Sequence, residues 1–365
     1  MLKGLKLDPD FLEREKIIAK LQLVIQLEKN SPYAKGTVFK PLPERMLGAL
    51  RVIPEKYQQY VLALFSNTIY CTEQFSTSIM LHLFTKIKKR FKIKPEDFGK
   101  ECFIIEVDPT GMINDFLRLN KIQGRLDKNV FQREQQLGSF VNRVYLLDGL
   151  SDFLEKRSKE DAIKVNNILI KSNFSDNENR QQLDKKYWVI LTDNALSGTS
   201  ICSDLRRLLD LAKEKNKKPT IIILIRALTY KANEEILKNF KEEIDTKKLY
   251  IEYGIFLNEE HVVNDETENS CKLFNQKETH KMVREVSEWF VQNTGYKDDK
   301  LLIDHKKNSG DDMRYGFKKC GLTFVSAENC PSNSLPLLWY KNEDYVAPFP
   351  RVLSRIGGDN NVSKC

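Results

Sequence analysis

The stretch "YWVILTDNALSGTS", residues 187–200, runs from an unbroken apolar segment into a cluster of polar side chains. Tyr187 to Leu191 carry no charge, and a short continuous apolar run of this kind suits a strand buried on both faces. Behind it stand one acid, Asp193, one amide, Asn194, a glycine, Gly198, and the hydroxyls of Ser197, Thr199 and Ser200. Downstream, Ile201, Leu205, Leu208, Leu209 and Ala212 fall on one helical face, with Asp204, Arg206 and Arg207 elsewhere. The reading is a strand ending near Leu191, a loop, and a helix starting near Thr199 or Ser200. Such a unit belongs to a parallel sheet, in which ligands bind at the carboxyl ends of the strands.

The same signature recurs along the chain. Apolar runs at Cys102–Val107, Val144–Leu147, Trp188–Leu191, Ile221–Ile225, Leu249–Phe256 and Leu322–Val325 alternate with long polar or amphipathic segments. Strand-like runs alternating with helical ones predict an α/β fold, a mostly parallel sheet with flanking helices. Ahead of it, from Phe11 to about Phe91, apolar residues such as Leu47, Leu50, Tyr57, Val61, Leu64 and Phe65 recur at helical spacing, with Pro43 and Pro54 as boundaries. The expected organisation is therefore an all-helical N-terminal region over 1–95, an α/β domain over 96–356 and a flexible tail over 357–365. Polar stretches at 171–186, 258–281 and 304–316 read as loops or insertions.

Composition excludes several classes. A hydrophobic fraction of 41% and a charged fraction of 30% over 365 residues are those of a globular chain, not a disordered one. No apolar run reaches the roughly 18 residues of a membrane helix, and the opening "MLKGLKLDPDFLEREK" lacks a signal-peptide core, so the expectation is a cytoplasmic protein with no membrane partner. The seven cysteines form no C-x-x-C pair, which argues against both a disulfide framework and a zinc site. His82, His261, His280 and His305 have no metal-binding spacing. A net charge of +8 suits a nucleic-acid partner, a phosphorylated ligand or plain solubility. The densest basic run, Lys86 to Lys94, reads first as the basic face of a helix C-terminus, with a nucleic-acid patch as the lesser alternative.

The loop after residue 191 has chemistry suited to an anion. Backbone N–H groups at a helix N-terminus lack partners and carry the positive end of the dipole, so a phosphate there gains several hydrogen bonds. Gly198 lets the backbone approach closely, and Ser197, Thr199 and Ser200 add hydroxyl donors. Asp193 at the strand end can accept from sugar hydroxyls or hold a hydrated Mg²⁺. Ser, Thr and Asp are also ordinary helix caps, and a glycine in a turn needs no ligand. The loop is neither a Walker loop nor a dinucleotide fingerprint.

The segment nevertheless resembles the 5-phosphoribosyl 1-diphosphate motif of type I phosphoribosyltransferases, in which apolar residues precede an acidic pair, a hydroxyl- and glycine-containing loop and a helix. The resemblance implies that Asp193 and Asn194 take the acidic-pair positions on the ribose and that Ser197, Gly198, Thr199 and Ser200 cradle the 5-phosphate. This chain departs from the pattern twice: Asn194 stands where the second acid belongs, and the loop is one residue shorter. A further stretch, "GLTFVSAENCPSNSLPLLWY" at 321–340 with "APFPRVLSR" soon after, resembles the C-terminal end of phosphoribosyltransferase-like proteins of prokaryotic conflict, or antiphage defence, systems. From its residues alone it is a polar turn followed by a Trp that either belongs to the core, the favoured reading, or stacks on a base. The resemblance adds Asn329, Asn333 and Trp339 as second-site or base-facing residues or loop braces.

Three further features complete the expected site. Asp108, Thr110 and Gly111 follow the first apolar run as a pyrophosphate-side loop or a plain turn. Arg226 closes the run at Ile221–Ile225, where its guanidinium can face the same crevice and meet a diphosphate. Arg118, Lys121 and Arg125 add positive charge near the first loop or form a solvated helix face. The catalytic set is Asp193, Asn194 and Arg226, with Mg²⁺ at Asp193 if a metal takes part. The expected ligand is phosphoribosyl diphosphate or a nucleotide-like molecule. The resemblance adds a reverse transcriptase, a DNA-binding protein or nucleic acid of the same operon as partners. Two rival functions stay open, a non-catalytic nucleotide-sensing or partner-docking module on the same fold and a nucleic-acid-associated scaffold.

Overall fold

The computed structural model describes residues 14–33, 39–94, 97–106, 116, 119–120, 183–265, 277–296 and 314–351. Its architecture is α/β, with parallel sheets flanked by helices and a helical N-terminal region. The chain divides into two compact units, one of residues 75–257 and one that combines residues 1–74 with 258–365. These units are drawn differently from a division at residue 95.

In the 75–257 unit the strands β2 (Cys102–Glu106), β3 (Tyr187–Ala195), β4 (Thr220–Thr229) and β5 (Leu249–Leu257) form one parallel sheet in the order β2-β3-β4-β5. Register runs from Cys102 opposite Tyr187 and Tyr187 opposite Thr220 to Thr229 opposite Leu257. Strand side chains alternate between faces, and the two faces are covered differently. On one, Phe103, Trp188, Ile190, Ile221 and Ile223 cluster with α6 (Thr199–Glu214) and α7 (Tyr230–Asn239). Ile221 to Ile225 are all buried, each contributing roughly 1.5–3 kcal/mol relative to exposure.

The other face carries α4 (Glu73–Phe91). The Phe91 ring lies 5.2 Å from Tyr187 and 4.9 Å from Tyr250. On the same helix, Lys86 and Arg90 reach Glu252 at 3.6 and 2.9 Å. Lys86 also donates to the Tyr253 carbonyl at 3.0 Å. Two cations of the basic run are thus part of how a helix seats on its sheet. Near the other end of α4, Ile79 packs where Gly254 leaves room.

α6 forms because Ile201, Leu205, Leu208 and Ala212 share a buried stripe. It stops because Asn216 takes the left-handed conformation at φ 52° and the Lys217 N–H returns to the Ala212 carbonyl at 2.7 Å.

The second unit gathers α1 (Arg14–Asn30), α2 (Leu42–Val52), α3 (Glu55–Ser66) and α9 (Lys277–Asn293) around one core with residues 315–349. A short strand, β1 (Ile69–Cys71), pairs in parallel with β6 (Phe324–Ser326). The helical reading of the front missed β1, because three residues between two helices carry no period. Buried Arg45 ties this unit together, donating to Lys40 carbonyl at 2.8 Å, to Glu28 at 2.6 Å and to the Pro348 carbonyl. Three short helices, α5 (Phe98–Glu101), α8 (Lys241–Asp245) and α10 (Pro336–Trp339), complete the fold. No helix among the described residues is long and apolar enough to cross a membrane.

Two expectations change. β3 does not end near Leu191 but runs to Ala195, so Asp193 and Asn194 are strand residues, and only Leu196, Ser197 and Gly198 connect it to α6. β4 likewise continues past Ile225 to Thr229, which takes Arg226 into the strand. The apolar run at Val144–Leu147 lies outside the described residues.

Candidate functional site

The three-residue connection Leu196–Gly198 is built around Gly198, which caps α6 in the left-handed conformation at φ 80°. Gly198 itself has no side chain with which to cap that end of α6, and no acid occupies its first turn. The positive end of the helix dipole is therefore not met by a carboxylate of the helix's own first turn, and an anion is favoured there. Thr199 and Ser200 are exposed and Ser197 is half-buried. Ser197 Oγ lies 3.4 Å from Thr199 Oγ1 and accepts from the Thr199 N–H at 3.5 Å, so the hydroxyls are gathered at one point.

Two residues that sequence reasoning did not single out brace the site, one at this turn and one at Arg226. Thr229 donates from its hydroxyl to the Leu196 carbonyl at 2.7 Å and accepts from the Ala232 N–H at 3.0 Å, capping α7 and anchoring the loop together. A threonine before a helical segment is a legible cap; its second bond, to a carbonyl far back in the sequence, is not. Ser76 of α4 is the other.

The charged part of the site lies near the end of β3, two residues before Ala195. Asp193 Oδ2 is 3.4 Å from Arg226 Nη2, with side-chain exposures of 13% and 3%. The two fall between the registered pairs Thr192–Ile225 and Asn194–Ala227, so neighbouring strands deliver the ion pair directly. Arg226 Nη1 also donates to Ser76 Oγ at 3.1 Å, which fixes the guanidinium against α4. Asn194 follows in the strand, and its Oδ1 is buried with no hydrogen-bond partner among the described residues. Such an acceptor is costly to leave unsatisfied. On α6, burial first and the nearby Glu235 second push the Cys202 thiol up to about 11, with Arg206 opposing, so it stays protonated and is no nucleophile at neutral pH.

The structure therefore brings together Asp193, Asn194, Ser197, Gly198, Thr199, Ser200 and Arg226 at the carboxyl ends of two adjacent strands. Asp108, Thr110 and Gly111 lie outside the described residues, as do Arg118, Lys121 and Arg125. Asn329, Asn333 and Trp339 belong to the other compact unit. There Asn329 Oδ1 accepts from the Cys330 N–H at 2.9 Å and from the Tyr33 hydroxyl at 3.3 Å. Asn333 Nδ2 donates to the Phe317 carbonyl at 3.2 Å, and the buried Trp339 indole donates to the Ser334 carbonyl at 2.8 Å. Among the described residues no group of three or more His, Cys, Asp or Glu side chains is placed to hold a metal ion.

A parallel sheet whose second strand carries Asp193 near its end and turns at Gly198 into a helix is the arrangement expected of a phosphoribosyltransferase-like protein, and the PRTase-CE family model matches residues 53–351. The chain belongs to the PRTase-CE family. The match begins at the end of α2 and runs beyond β6, so it takes in both compact units and not the sheet alone. No curated protein and no solved structure matches the chain. This PRTase-CE chain is thus phosphoribosyltransferase-like.

Proposed function

We propose that this PRTase-CE chain binds a phosphoribosyl ligand, ribose 5-phosphate or phosphoribosyl diphosphate, and acts as an effector in a prokaryotic antiviral defence system. The observation that carries the ligand reading is the Gly198 turn, where the N-terminus of α6 has no acid in its first turn and gathers the hydroxyls of Ser197 and Thr199, with Asp193 on the strand that leads into it. The 5-phosphate would take the N–H groups and hydroxyls, while Asp193 accepts from a ribose hydroxyl. The defence setting is supported by the likeness of residues 321–340 to conflict-system proteins.

Group transfer at the anomeric carbon would pass through an oxocarbenium-like state, in which positioning and charge stabilisation do most of the catalysis. Asn194 favours a second reading, a nucleotide-sensing module without turnover, because an amide cannot supply the second negative charge. Calorimetry on the full chain with each ligand, paired with an assay for pyrophosphate release in the presence of nucleobases, separates the two. Binding that weakens about a hundredfold or more in a Ser197→Ala/Thr199→Ala variant is expected, since hydrogen bonds to a charged group are worth roughly 1.5–3 kcal/mol each. Heat of binding with no pyrophosphate selects the sensor. No binding of either ligand overturns the proposal.

A further inference from the structure

The acidic pair of a phosphoribosyltransferase-like motif invites a divalent cation, and the residues here do not fit one. Mg²⁺ demands several hard oxygen ligands in near-octahedral geometry. The second position offers only the amide of Asn194. The carboxylate at the first, Asp193, already has the Arg226 guanidinium 3.4 Å away, deep in the sheet. Arg226 cannot shed its charge, and Ser76 fixes it from the α4 side at 3.1 Å. The charges of Asp193 and Arg226 cancel, so a dication there would meet a fixed cation across one shared carboxylate.

We propose that Arg226, fixed between Asp193 and Ser76, is itself the cation of the site, and that the site takes its sugar-phosphate ligand without a divalent metal. The inference rests on the phosphoribosyl reading above. It also assigns Ser76 as a positioning residue that aims the guanidinium fork at ligand oxygens on the ribose side, away from the 5-phosphate at the α6 turn.

Calorimetry of the full chain with ribose 5-phosphate, once in EDTA and once with MgCl₂, tests it. The wild type is expected to bind with the same affinity, within about twofold, in both buffers. An affinity raised about tenfold or more by Mg²⁺ overturns the inference, and so does Mg²⁺ titrated alone that binds the wild type but not Asp193→Asn. Arg226→Gln is expected to bind about tenfold more weakly in EDTA, with Mg²⁺ restoring part of the loss because the carboxylate then recruits a cation. Unchanged affinity of that variant in EDTA counts against Arg226. Should Arg226→Gln not fold, Arg226→Lys keeps the charge and is expected to keep metal-free binding; a Mg²⁺ requirement in Arg226→Lys overturns the inference. Absence of wild-type binding in both buffers is a different failure, that of the phosphoribosyl reading and with it this one.

Discussion

Gly198 answers to two demands at once. Its φ of 80° is a conformation that side-chain-bearing residues adopt only under strain, and a Cβ built there would stand 2.9 Å from Glu235 Cβ and 3.1 Å from the Ala232 Cα of α7. The glycine therefore serves the turn into α6 and the close approach of α7 to that turn. Gly198→Ala is expected to destabilise the protein by about 1–3 kcal/mol, measured as a lower urea midpoint at unchanged slope. A variant as stable as the wild type would mean that α7 does not press on the loop. That residue 198 must be glycine was legible in the sequence from its place between a strand and a helix. That α7 helps to require it was not, since Ala232 and Glu235 look like any helix surface.

At the scale of elements, the strands were legible where apolar runs announced them and illegible beyond. Ile221–Ile225 located β4, yet the strand continues through Arg226 to Thr229, and Trp188–Leu191 located β3, which continues through Asn194 to Ala195. A ladder is made by backbone groups, and it does not end because a side chain turns polar. The polar residues beyond the apolar run are the candidate site itself, so hydropathy loses the strand where its chemistry begins. What the far face of the sheet carries was also invisible: α4 is joined to β5 by contacts over about 170 residues of sequence, such as Lys86 to the Tyr253 carbonyl. The tightest of these is at Gly254, where an added Cβ would collide with Ile79 Cγ2 and stand 3.1 Å from the Arg226 carbonyl. Gly254→Ala is expected to cost about 1–3 kcal/mol by overpacking. In a double-mutant cycle with Ile79→Ala, the pair should cost less than the sum of the singles by about 1 kcal/mol or more, because the smaller side chain vacates the space. Strict additivity in urea denaturation would show that the two elements do not press together there.

For the whole molecule, one compact unit is assembled from both ends of the chain, with the Ile69 N–H bonded to the Thr323 carbonyl and β1 beside β6. Reading in chain order places a helical region first and a sheet after it, and no local pattern discloses that residues 258–365 return to the front. Folding leaves Cys71, Cys102, Cys202, Cys320 and Cys330 buried. Burial pushes the Cys102 and Cys330 thiols up to about 12. A brief alkylation at neutral pH followed by mass spectrometry should therefore leave these five unlabelled until denaturant is added, and prompt labelling of any one would contradict its placement. Acid should act through a different group. Burial holds the His261 imidazole below its ordinary range, with Glu260 opposing, so the unfolded chain takes up that proton before the folded one does. Stability linked to His261 is complete above about pH 6.5, the ordinary histidine value, and is lost as pH falls from there through the lowered folded value. Asp265 titrates further down. Burial raises its pKa, but the Tyr315 hydroxyl, Arg284 and Arg314 outweigh that and hold it below the usual carboxylate range, so its contribution disappears only in stronger acid. Thermal denaturation from pH 7.5 down to about pH 5 should thus show a falling midpoint that is shallower in His261→Gln. Equal slopes in the two proteins would assign the acid limb to some other group and remove His261 from the account.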